Sequence, residues 1–122
     1  MGYRSEVVLA VGKELMPHFL NVFAKVPSAR PVVFKHHDHM NENYDGEGTL
    51  LVSWSDIKWY ESYPEIEAIN KFIDQCDGDE IEDLEEPWEH FRFLRLGEDT
   101  DDNVEKGYLH ADQIGFHRSI SF

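Results

Sequence analysis

Between Asp77 and Glu89, thirteen consecutive residues carry eight carboxylates and no lysine or arginine. Such a run cannot enter a hydrophobic core, because a buried carboxylate without a partner forfeits its hydration. The core must therefore come from the segments on either side, both of which are patterned for folding. The acidic block is displayed on their surface, interrupted by Ile81, Leu84 and Trp88.

The chain of 122 residues is 41% hydrophobic and 13% aromatic, too apolar to be held open by its own charge. That length suits one domain over residues 1–122, with an acidic loop region at about 77–89. The formal net charge of -14 comes from 25 Asp and Glu against 11 Lys and Arg. Such a field repels phosphate backbones and anionic headgroups and attracts basic protein surfaces, so direct nucleic-acid binding is disfavoured. No stretch approaches the roughly 20 apolar residues of a membrane span. Residues 1–12 also lack the basic start and long apolar run of a secretion signal. The lone Cys76 has no partner for an internal disulfide, which fits a reducing cytoplasm.

Hydrophobic periodicity orders the elements. Tyr3, Ser5, Val7, Leu9 and Val11 alternate with a second set, as on a strand with one strongly buried face, and Gly12 ends it. Leu15, Phe19, Val22, Phe23 and Val26 recur at helical spacing, with Pro17 in the first turn and Pro27 at the end. Val32 to Phe34 reads as a short strand or loop, and His36 to Gly48 as a polar stretch with a turn at Asp45-Gly46. Leu50, Val52 and Trp54 alternate until the pattern slips to Ile57 and Trp59, which predicts a bulge or a strand break near Ser55-Asp56.

Ser62, Pro64 and Glu65 match a capping box with Ser62 as N-cap, followed by an apolar face of Ile66, Ile69, Phe72, Ile73 and Cys76. Glu89 to Leu96 reads as a strand, Gly97 to Asn103 as a second acidic turn, and Ile114 to Phe122 as a last strand. The expected fold is α+β: a four- to five-stranded antiparallel or mixed sheet with two helices packed on one face.

Three groups of residues are candidate sites. His36, His37 and His39, with Asp38 among them, have the chemistry of metal ligands, but an extended segment points neighbours to opposite faces, so a site needs a turn or help from Glu42, Asp45, His90, His110 or His117; a solvated polar loop is the alternative. Trp54 and Trp59, with Arg92, Arg95 and Arg118, supply aromatic faces and guanidinium forks that suit a nucleotide-like anion; filling the core is the alternative. Asp79, Glu80, Glu82, Asp83, Glu85 and Glu86, with Trp88 as an apolar anchor, suit a basic partner surface; a solvated loop is the alternative. Catalytic signatures are missing: no serine sits in a nucleophile elbow, Gly46-Glu47-Gly48 is too short to cradle phosphate, and Cys76 lies on an apolar face. No cofactor is implied.

The opening Met1-Gly2-Tyr3-Arg4-Ser5, running into an apolar strand, resembles small uncharacterised proteins of tailed bacteriophages. The segment Phe91 to Asp99, a strand leading into an acidic turn, is similar to the same set. The resemblance covers about a tenth of the chain and carries no assigned site residue. It implies an accessory protein in the host bacterial cytoplasm that binds and blocks a host protein. The combined expectation is a non-enzymatic inhibitor of a host nucleic-acid-binding or defence protein. A small-ligand binder and a metal-dependent enzyme are the alternatives. An exposed final strand would also allow a homodimer.

Overall fold

The computed structural model describes residues 2–99, 101–117 and 119–122. It is an α+β fold built on a five-stranded sheet in which every neighbouring pair is antiparallel. The strands are β1 (Ser5–Val11), β2 (His39–Asn41), β3 (Leu50–Ile57), β4 (Phe91–Leu96) and β5 (Asn103–Gly107), in the spatial order β2-β3-β1-β4-β5. Three helices, α1 (Met16–Lys25), α2 (Ala29–Phe34) and α3 (Pro64–Asp77), contribute to the core on one face. A hairpin of β6 (Gly115–His117) and β7 (Ser119–Ser121) belongs to the core on the other.

The central strand β1 is buried on both faces, not one. Val7, Leu9 and Val11 pack with Phe19, Val33, Ile69 and Phe72 beneath the helices. Val8 and Ala10 pack with Leu51, Leu94, Ile114 and Ile120 on the hairpin side. This accounts for the break in alternation at Leu94: Phe91 and Phe93 face the helices, and Leu94 enters the second core in unbroken register.

The bulge is present. Ser5 pairs with Ile57 and Val7 with Trp54, so three steps on β3 oppose two on β1.

Four local expectations are corrected. Val32 to Phe34 belongs to helix α2, whose buried residues Ala29 and Val33 lie four apart on one face, so the helices number three among the described residues. Tyr63, with extended backbone, is the N-cap of α3 and makes no side-chain cap bond; Pro64 follows within the first turn. Ser62 is therefore outside the helix, and the Glu65 carboxylate accepts instead from Ser28 Oγ at 3.4 Å. The last segment is a hairpin, with Ile114 and Ile120 buried and Phe116 and Phe122 exposed. Finally, β2 and β5 are edge strands whose polar composition hid them.

Candidate functional site: an acidic segment and the groove beside it

The acidic block follows α3 without a flexible linker. Gly78 caps the helix, its N–H donating to the Asp74 carbonyl at 2.9 Å, and Asp79 then takes a left-handed conformation with φ of 57°. The Glu80 N–H reaches back to the Gln75 carbonyl at 2.8 Å, which is the six-to-one bond of a Schellman turn. Asp79 thus fills the place where glycine is usual. Asp83 and Glu86 are also left-handed, with φ of 65° and 49°, so three of the four non-glycine residues with positive φ among those described lie in this block.

Apolar residues fasten the segment down. Ile81, Leu84 and Trp88 are half-buried against the helix-side core, and Pro87 is buried at the start of a short 3-10 turn, Pro87–Glu89. The turn is pinned at its exit, where Tyr108 N–H donates to the Trp88 carbonyl at 2.8 Å and Gly12 N–H to the His90 carbonyl at 2.7 Å. Asp79, Glu80, Glu82, Asp83, Glu85 and Glu86 are all exposed. Among the described residues none of the six forms an ion pair.

A groove of about 540 Å³ runs between α1, α3 and this segment. Its apolar lining is Val22 and Val26 from α1 and its cap, Ala68 and Phe72 from α3, and Ile81. Glu67, Glu80, Glu82 and Asp83 supply its carboxylates, and Lys25 and Lys71 its ammonium groups. Sequence reading located the acids but not the groove, because the groove depends on how α1 packs against α3.

The aromatic and arginine candidates are dispersed. Trp54 is 1% exposed, and its indole N–H donates to the Val32 carbonyl at 3.0 Å. Trp59 is buried and donates to Asn70 Oδ1 at 3.0 Å. Strand register puts Arg92 and Arg95 on opposite faces of the sheet. Arg92, 4% exposed, donates to the carbonyls of Ile114 and Gly107 at 3.0 and 2.8 Å and pairs with Glu105. Arg95 forms a two-pronged pair with Asp102, at 2.7 and 3.2 Å. That pair, with a bond from the Tyr3 hydroxyl, holds the Asp102 carboxyl below the usual carboxylate range, and the bond to Asp102 raises the Tyr3 phenol. Arg118 lies outside the described residues. Trp54, Trp59, Arg92 and Arg95 are engaged within the fold, so among the described residues they form no common anion site.

The histidines also separate. His37 Nδ1 lies 2.9 Å from the Val33 carbonyl, His39 packs its ring on Phe122, and His36 is exposed. Among the described residues no three His, Cys, Asp or Glu side chains are placed to hold a metal ion. Folding does join Asp45 and His110, 65 residues apart, at 2.8 Å. Burial favours the neutral form of Asp45, but bonds from Thr49, His110 and the Glu47 and Thr49 N–H groups outweigh it and hold the carboxyl well below its ordinary range. No sequence spacing signals this pair.

Comparison of the chain with protein families, curated proteins and solved structures returns no match. Among the described residues no helix is long and apolar enough to cross a membrane.

Proposed function

We propose that the protein is a non-enzymatic binding protein that occupies a basic surface of a host protein through its acidic face. The observation that carries this reading is the anchored acidic segment: six exposed carboxylates with no ion-pair partner among the described residues, on a backbone fastened by Ile81, Leu84, Pro87 and Trp88. A charged segment serving solubility alone needs no such fastening. Fixed charges lose less conformational freedom on association and steer a basic partner at long range. The phage resemblance supplies the setting: an accessory protein in the bacterial cytoplasm that blocks a host nucleic-acid-binding or defence protein.

The test is capture from bacterial lysate at about 0.1 M salt, where charges act over roughly 10 Å. Native protein is compared with a variant in which Asp79, Glu80, Glu82, Asp83, Glu85 and Glu86 are replaced by Asn or Gln. A protein held by the native form and lost by the variant supports the reading. Identical captured sets from the two forms would leave the acids with a solubility role.

A further inference from the structure

The acidic face adjoins an apolar groove, and the two together specify more of the partner than charge alone does. Val22, Val26, Ala68 and Ile81 are half-buried, leaving apolar surface in contact with water along the junction of α1 and α3. Along α3 the groove extends from Pro64 to Gln75. Those eleven steps correspond to about 16 Å at the rise of an α-helix, close to three turns. A helix laid in a groove engages through apolar residues at three- and four-residue spacing, and a stretch of this length presents three or four of them.

The lining charges choose among possible helices. Four carboxylates face two ammonium groups, and among the described residues none of the six is ion-paired. The surplus is negative, within a molecule of net charge -14. A basic flank beside the apolar stripe satisfies Glu80, Glu82 and Asp83, whereas an acidic flank would meet like charge.

We propose that this groove docks a basic amphipathic helix of the partner, apolar side chains against Val22, Ala68 and Ile81 and Lys or Arg side chains against Glu80, Glu82 and Asp83. The proposal rests on the acidic-face reading and adds to it the form of the partner. It assigns Ala68 a specific role: its small side chain leaves the room that the incoming apolar group fills.

Three synthetic probes test it by fluorescence anisotropy: one of three helical turns with Leu and Lys at amphipathic spacing, a shorter oligolysine of equal charge, and one of three turns with Leu and Glu. The Leu/Lys peptide should bind about tenfold or more tightly than oligolysine, the effect of burying one leucine side chain. Ala68→Gln, neutral in charge and compatible with a helix, should abolish that preference while oligolysine binding stays unchanged. Glu80→Gln/Glu82→Gln/Asp83→Asn should weaken both cationic peptides. If the two cationic peptides bind alike, the groove proposal fails and the acidic-face reading stands. If neither binds, both fail. Equal binding of the Leu/Glu peptide overturns the assignment of a basic partner, as does an Ala68→Gln protein that keeps the native preference.

Discussion

Arg92 is the buried charged side chain that ties β5 to the segment before the hairpin. Its guanidinium joins the Gly107 carbonyl at the end of β5 to the Ile114 carbonyl ahead of the hairpin, and Glu105 balances its charge. Replacing Arg92 by Met keeps much of the volume but leaves two carbonyls without their donor. We expect a loss of roughly 2–4 kcal/mol in chemical denaturation. A change below about 0.5 kcal/mol, as at an ordinary surface site, would show that the guanidinium is not structural. Asp45 supplies a pH dependence. Its folded-state pKa lies below that of the unfolded chain, so the stability it contributes is complete above about pH 4 and lost as pH falls towards the folded value. Melting temperature should fall as pH drops from about 5 to about 3, and Asp45→Asn should start lower and fall less steeply. Parallel curves would contradict this. Burial pushes the Cys76 thiol up to about 12, with Asp77 adding to the shift. Native protein should therefore resist alkylation at pH near 8, where an exposed cysteine is partly thiolate, and react once denatured.

At the scale of elements, the proposed function rests on the order of the acidic segment. Trp88→Ala removes one of its apolar attachments while leaving every carboxylate in place. Backbone amides from Asp79 to His90 should then exchange hydrogen faster than in native protein, with the protection of β1 retained. Unchanged exchange would show that Trp88 does not fasten the segment. Elements with a strong apolar period were legible in sequence: β1, β3 with its bulge, α1, α3 and β4 all follow from side chains that repeat at two or near 3.6. What escaped was short or polar. Val32 to Phe34 offers three apolar residues, too few to separate a strand from a helical turn, and Ala29 and Val33 settle it only once they pack. The cap of α3 moved because Tyr63 sits directly before Pro64, and a residue before proline favours extended backbone. β5, Asn-Val-Glu-Lys-Gly, carries no apolar alternation because it lies at an edge.

For the whole molecule, the acidic candidate site was legible because charge density is local in sequence, and its exposure follows from the cost of burying carboxylates. The groove and the Asp45–His110 pair were not, since each joins residues brought together only by tertiary packing. The dispersal of Arg92 and Arg95 follows from parity on one strand, three residues apart. With a net charge of -14 the molecule has a long-range field, and the anchored segment concentrates part of it beside an apolar groove. Steering by such a field acts mainly on the rate of encounter and is screened by salt. The most direct measurement is the association rate with a captured partner across ionic strength, for native protein and for Glu80→Gln/Glu82→Gln/Asp83→Asn/Glu85→Gln. The native rate should fall steeply with salt, and the variant should associate more slowly with a shallower dependence at equal stability. Superimposable salt curves would contradict an interface built on the acidic face.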